Sequence, residues 1–75
     1  MKILIIQENS RKKESIHLRE CNSLKYWFNV LGVEAECWGK GHDNFNTPFY
    51  EVAENYDIIF CLENYDNGWL PDLSK

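Results

Sequence analysis

Two short polar pairs follow apolar runs of the sequence, and their residue types are suited to chemistry. Glu8-Asn9 comes after KILIIQ, and Glu63-Asn64 comes after DIIFCL. If both runs are neighbouring parallel strands, their carboxyl ends place two carboxylates and two amides in one crevice. A carboxylate there can accept a proton from an attacking hydroxyl group, so we predict catalytic roles for Glu8 and Glu63. We expect Asn9 and Asn64 to contact a ligand, the alternative being that these four side chains cap helices or fix loops.

Cationic and aromatic side chains lie close to these pairs in the sequence. Arg11, followed by two lysines, precedes a predicted helix, where cations and free N–H groups can hold a phosphate or a carboxylate. His17 lies in the first turns of that helix and can face the same crevice. Trp69 follows the third apolar run, where its ring can stack against a sugar. The alternatives are solvated charges and an aromatic ring that closes the edge of the core.

The cysteines and histidines favour a plain structural interpretation. The sequence has three cysteines, Cys21, Cys37 and Cys61, and this odd, widely spaced set argues against a disulfide framework. It has no CxxC pair and only two histidines, which argues against a zinc site. We therefore expect buried, reduced thiols in a cytoplasmic protein with no metal site and no cofactor.

The elements that position these residues follow from the hydrophobic pattern. Solid apolar runs at 2–8 and 57–62 predict strands buried on both faces, and the alternation of VEAECW at 33–38 predicts an edge strand. Two helices are expected between the strands, from about 15 to 31 and from about 48 to 55. The first should bury one stripe and end at Gly32, and the second should begin at Thr47-Pro48 with Phe49, Val52 and Ala53 inward. The stripe comprises Leu18, Cys21, Leu24, Trp27, Phe28 and Leu31.

This order of elements predicts the fold class. It is an α/β fold, a three-layer βαβαβ Rossmann-like half unit with a parallel sheet of strand order 2-1-3. The outer edge of the third strand then has no partner within residues 1–75, and an open apolar edge promotes aggregation. We infer that residues 1–75 form a partial domain that a missing remainder completes, or that the chain forms a homo-oligomer through this edge.

Composition and absent motifs narrow the function classes. A net charge of −4 argues against nucleic acid as a partner. No apolar stretch approaches the roughly 20 residues of a membrane span. The first strand-to-helix turn lacks GxGxxG, and the sequence lacks GxxxxGK[ST], so neither common nucleotide-binding loop is present.

Three segments together resemble the amino-terminal end of GT-B glycosyltransferases, in particular a bacterial and viral group related to family 1/family 4 and to spore-maturation glycosyltransferases. The most specific pieces are ENSR with RECNSLK, GHDNFN, and LENYDNGWLPDLS. The resemblance implies two Rossmann-like domains facing a cleft, with this chain at the start of the acceptor-side domain. It also implies that Glu8, Asn9 and Arg11 line the cleft, and that nucleotide-sugar donor and acceptor bind in the full-length protein.

The expected function is therefore that of an amino-terminal glycosyltransferase fragment that supplies acceptor-side contacts. As a 75-residue chain it should be inactive, because half a cleft cannot exclude water or hold both substrates. The alternative is a flavodoxin-like or receiver-like binding module, or a self-assembly module, without catalytic activity.

Overall fold

Three parallel strands form one sheet in the order β2-β1-β3. The structure is a computed structural model that describes residues 1–10, 19–62, 64 and 68–71. The strands are β1 (Lys2–Ile6), β2 (Glu34–Trp38) and β3 (Ile58–Cys61). In the register of the central strand, Leu4 lies between Glu36 of β2 and Ile59 of β3. The predicted α/β class, parallel sheet and strand order are confirmed.

Two helices connect the strands, α1 (Glu20–Val30) and α2 (Phe49–Ala53), with a 3-10 turn at Asp43–Asn46. The sequence predicts a helix from about residue 15, which would include Arg19. This prediction is wrong for Arg19, because its backbone is extended, with φ −66° and ψ 137°. Residues 15–18 lie outside the described residues. Gly32 follows the end of α1 with φ 84°, as the sequence predicts.

The start of α2 also differs slightly from the prediction. Pro48, with φ −56° and ψ 140°, takes the N-cap position that we expected Thr47 to hold. The inward side of this helix is confirmed, because Phe49 is buried and Val52 and Ala53 pack against the same core.

The alternating side chains of β1 build two separate cores. Ile3 and Ile5 pack on the α1 side with Cys21, Ala35 and Cys37. Leu4 and Ile6 pack on the opposite side with Trp38 and Phe49. Helices therefore cover both faces of the sheet, which confirms the three-layer arrangement and explains why β1 is apolar at every position.

The sequence overestimates burial at β3. Ile58, Ile59 and Phe60 keep 37%, 42% and 44% of their surface exposed, and Cys61 is exposed as well. The expectation of a strand buried on both faces, with a buried third cysteine, is therefore wrong for the described residues. The physical reason is the open edge, since β3 pairs only with β1 in the part of the chain that the structure describes.

Helix α1 buries a narrower stripe than the periodicity predicts. Cys21 is fully buried and Leu24 and Phe28 pack on the core, but Trp27 and Leu31 are 60% and 75% exposed. On β2, the alternation places Trp38 on the same face as Glu34 and Glu36, which predicts a partly wet position, but Trp38 is buried. The aromatic rings of Phe45, Phe49 and Trp69 cover it.

Candidate functional site

Two buried polar residues follow β1 and fix the start of α1. Gln7 is 1% exposed, and its Oε1 accepts a hydrogen bond of 2.9 Å from the backbone N–H of Cys21. The first N–H groups of a helix have no partner within the helix, so a buried acceptor from a neighbouring strand stabilises them. Arg19 Nε donates to the backbone carbonyl of Glu8 at 3.0 Å, which ties the residue before α1 to the same strand end. These contacts explain why α1 begins at Glu20.

The fold brings Glu8 and Asn64 together, as the predicted topology requires. The N–H of Glu8 donates to Asn64 Oδ1 at 2.7 Å. The Glu8 side chain is 4% exposed, and its Oε1 lies 4.0 Å from Arg19 Nη2. Both residues thus have structural contacts at this strand end, which agrees with the alternative that these side chains fix loops. Catalysis by Glu8 stays a prediction. Glu63, Arg11 and His17 lie outside the described residues.

Trp69 lies in the aromatic cluster on the α2 side of the sheet. Its ring centroid is 6.0 Å from that of Trp38 and 5.9 Å from that of Phe45, the latter pair at an interplanar angle of 90°. The Trp69 Nε1 atom is buried and has no hydrogen-bond partner among the described residues. These contacts match the alternative in which the ring closes the core, and sugar stacking by Trp69 stays a prediction.

A polar pocket of about 310 Å³ opens on the other side of β1, where β1 and β2 end beside α1. Among the residues predicted to bind a ligand, Asn9 lines it. Asn9 Oδ1 accepts a hydrogen bond of 2.9 Å from Asn22 Nδ2. Three amides, two acids, a lysine, a histidine and a thiol form the wall: Asn9, Asn22, Asn44, Glu36, Asp43, Lys25, His42 and Cys37.

Lys25 forms an ion pair with one of the two acids in this pocket. Lys25 Nζ donates to Glu36 Oε1 at 2.7 Å, and this hydrogen bond raises the pKa of Lys25 above its ordinary value. Asn44 Nδ2 donates to the Cys37 carbonyl at 2.9 Å, whereas Asn44 Oδ1 is buried and has no partner among the described residues. The pocket therefore offers hydrogen-bonding groups of both kinds to a small polar ligand.

Two thiols and an imidazole meet at the inner side of this pocket. The ligand atoms of Cys21, Cys37 and His42 all lie within 4.8 Å of one another. Cys21 Sγ is 3.6 Å from His42 Nε2, which is also 2.9 Å from the Gln7 carbonyl oxygen. The Cys37 thiol donates to the Cys21 carbonyl at 3.2 Å. Such a group can stabilise a thiolate or bind a metal ion.

The two thiols differ strongly in acidity. The neighbouring Cys37 thiol, with help from His42 and against the effect of burial, lowers the pKa of Cys21 to about 5. The same coupling with Cys21, together with burial, raises the pKa of Cys37. A negative charge on this pair is therefore more favourable on Cys21 than on Cys37.

Sequence reasoning missed this cluster because its members are far apart and match no metal-binding spacing. The available signal was the strand order. With order 2-1-3, the end of β2 lies beside the end of β1 and the start of α1. That placement puts Cys37 and His42 next to Cys21.

Comparisons with protein-family models, curated proteins and solved structures gave no significant match. Within the described ranges, none of the helices has both the length and the apolar character that crossing a membrane requires.

Proposed function

We propose that this chain forms the start of the acceptor-side domain of a GT-B-type glycosyltransferase, and that its polar pocket binds hydroxyl groups of the acceptor. The observation that carries the proposal is the pocket of about 310 Å³ lined by amides and charged groups beside the carboxyl ends of β1 and β2. Ligands of open α/β sheets bind beyond the carboxyl ends of the strands. The resemblance of the ENSR, GHDNFN and LENYDNGWLPDLS segments supplies the reaction class.

Amide pairs suit a polyhydroxylated ligand because each amide both donates and accepts hydrogen bonds. Asn9 and Asn22 already bond to each other at 2.9 Å, which holds both side chains in the pocket wall. Asn44 Oδ1, which has no hydrogen-bond partner within the described part of the chain, adds an acceptor in the same wall. In this proposal Glu8 is a positioning residue, because its contacts to Arg19 and Asn64 fix the strand end from which Asn9 extends.

The exposed edge of β3 supports the view that further structure completes this domain. Ile58, Ile59 and Phe60 are 37%, 42% and 44% exposed, and an uncovered apolar edge strand is unfavourable in a finished domain. Nucleotide-sugar binding then belongs to a second domain of the longer protein. Three free cysteines favour a reducing compartment, so we infer a cytoplasmic location.

Sugar binding is tested by NMR titration of the chain with a panel of monosaccharides and disaccharides. We expect shifts confined to the pocket residues. Asn22→Ala should weaken binding about fivefold, because one hydrogen bond is worth about 1 kcal/mol and about 1.4 kcal/mol corresponds to tenfold. Asn55→Ala is the matched control, since it removes an exposed amide whose contact is with Glu51 near α2. Unchanged pocket resonances across the panel would contradict the proposal.

Sugar transfer is tested on the complete product of the gene with labelled nucleotide sugars. The 75-residue chain should transfer nothing, and the complete product should transfer label to an acceptor, with Asn22→Ala raising KM for the acceptor. A gene product that ends at Lys75, or one that transfers no sugar, overturns the transferase assignment.

A second candidate function, self-assembly through β3, is favoured by the same exposed edge. In that case the outer side of β3 pairs with β3 of another copy, and the pocket serves no substrate. Light scattering separates the two, because a chain that stays monomeric at high concentration does not assemble in this way.

A further inference from the structure

Cys21, Cys37 and His42 have the composition and the spacing of a metal site. Cys21 is the second residue of α1, Cys37 lies in β2, and His42 lies in the loop after β2. The two thiols are 0% and 2% exposed, whereas His42 is only partly buried. Each element that carries a ligand is fixed by the fold, and the three ligand atoms lie within 4.8 Å of one another.

The separation between Cys21 Sγ and His42 Nε2 fits a tetrahedral ion. With Zn–S bonds of about 2.3 Å and Zn–N bonds of about 2.0–2.1 Å, neighbouring ligand atoms lie about 3.6 Å apart. Cys21 Sγ and His42 Nε2 are 3.6 Å apart. Cys37 Sγ lies within 4.8 Å of both of these atoms, and a rotation of the Cys37 side chain toward them completes a three-ligand shell in this proposal.

We propose that Cys21, Cys37 and His42 bind one Zn²⁺ ion, with a fourth coordination position that is reached from the polar pocket. Two thiolates neutralise the charge of Zn²⁺, which favours its burial next to an apolar core. Cysteine and histidine together favour Zn²⁺ over the harder ions Mg²⁺ and Ca²⁺. Cys37 and His42 both line the pocket, so solvent or a ligand can reach the ion.

Binding exchanges existing hydrogen bonds for metal bonds. The Cys37 thiol gives up its contact with the Cys21 carbonyl at 3.2 Å, and His42 Nε2 gives up its contact with the Gln7 carbonyl at 2.9 Å. The thiols pass whatever protons they hold to solvent, and the proton of His42 moves from Nε2 to Nδ1, since only deprotonated sulfur and nitrogen coordinate. The proposal stands whether or not the pocket binds sugars.

The test uses the reduced, chelator-treated 75-residue chain titrated with Co²⁺ as a spectroscopic probe and then with Zn²⁺. We expect one Co²⁺ per chain, visible bands of tetrahedral coordination and a thiolate charge-transfer band, all removed by one equivalent of Zn²⁺. Cys21→Ser, Cys37→Ser and His42→Gln should each weaken Zn²⁺ binding by more than about 100-fold. This is a larger loss than is usual when the substituted residue only hydrogen-bonds to a metal ligand.

Cys61→Ser is the matched control, because Cys61 is exposed and lies on β3. It should leave the affinity and the spectrum unchanged. If a ligand variant fails to fold, the ¹¹³Cd NMR shift of the unmodified chain still reports whether two sulfurs and one nitrogen bind the ion. A weak octahedral cobalt spectrum, binding that survives Cys21→Ser and Cys37→Ser, or loss of binding in Cys61→Ser would each overturn the proposal.

Discussion

Cys21 lies at the start of α1, where the backbone N–H of Asn22 and the His42 ring both favour a negatively charged sulfur. A buried cysteine with only apolar neighbours would keep its proton, since burial raises the pKa of a thiol. The difference comes from Cys37, whose thiol is the main cause of the lowered pKa of Cys21. The residue type was visible in the sequence, but its acidity depends on a contact across 16 positions.

The metal-free protein should therefore contain a thiolate at neutral pH. Because the folded pKa of Cys21 is about 5, absorbance at 240 nm should fall as the pH drops through 5, where the thiolate takes up a proton. Cys37→Ala should move this midpoint upward, since it removes the main stabilising contact. Cys61→Ser should leave it in place, and a midpoint that stays near pH 5 in Cys37→Ala would contradict the assigned cause.

Gln7 and Glu8 show where residue-level prediction from the sequence stops. Their position after a strand was predictable, and Glu8 and Asn64 do meet. Burial of Gln7 at 1% exposure was not predictable, because it depends on the N–H of Cys21 arriving at 2.9 Å from its Oε1. A carboxylate and an amide at a strand end have the same sequence pattern whether they face a ligand or their own backbone.

At the scale of elements, the end of β2 lies unusually close to the end of β1. A Cβ atom on Gly39 would lie 2.6 Å from the Gln7 carbonyl oxygen and 2.9 Å from Trp69 Cη2. Gly39 also has φ 151°, which side chains rarely adopt. This close approach is what lets the loop after β2 carry His42 to the Gln7 carbonyl and to Cys21.

Gly39→Ala should consequently destabilise the fold more than Gly32→Ala. Gly32 has φ 84° with no atom within 4 Å of an added Cβ, so its substitution costs only backbone strain, about 1–2 kcal/mol. Gly39→Ala adds a clash with backbone, and overpacking of this kind costs a further 1–3 kcal/mol or so. Urea denaturation of both variants measures the difference, and equal losses would show that the Gly39 contact relaxes freely.

The order of helices and strands was predictable because each has a clear hydrophobic period. The residues at which they begin and end were not predictable. Helix α1 starts at Glu20 because Arg19 donates to the Glu8 carbonyl, an interaction that no local pattern reveals. The apolar stripe also included Trp27 and Leu31, which stay exposed. Hydrophobic periodicity indicates which residues of α1 can be buried, but a three-stranded sheet covers only part of the apolar stripe of this helix.

At the scale of the whole molecule, apolar surface remains open on β3 and on the outer part of α1. Tyr26, Trp27, Val30 and Leu31 are all more than half exposed, in addition to the three exposed positions of β3. A soluble monomer rarely leaves a large apolar surface uncovered. The strand order predicted the open outer side of β3, since it left that side without a partner, whereas the exposure of Trp27 and Leu31 contradicts the predicted stripe.

The isolated chain should therefore associate as its concentration rises. Ile59→Lys should shift the light-scattering mass toward the monomer, because a charged side chain on an edge strand blocks strand pairing. Tyr50→Lys is the control, since it removes an apolar side chain of similar exposure from α2 and leaves the edge intact. A chain that is already monomeric, or an equal effect of both substitutions, would contradict pairing through β3.

The central position of β1 has a consequence for synthesis on the ribosome. Leu4 pairs with Glu36 and with Ile59, so the partners of the earliest strand are translated 32 and 55 residues after it. At roughly 5–20 residues per second, the apolar run of β1 emerges several seconds before β3 can enclose it. During that interval the nascent chain presents Ile3 to Ile6 to its surroundings. A chaperone that binds short aliphatic segments would meet this strand before its two partner strands and would have to release it before the sheet closes.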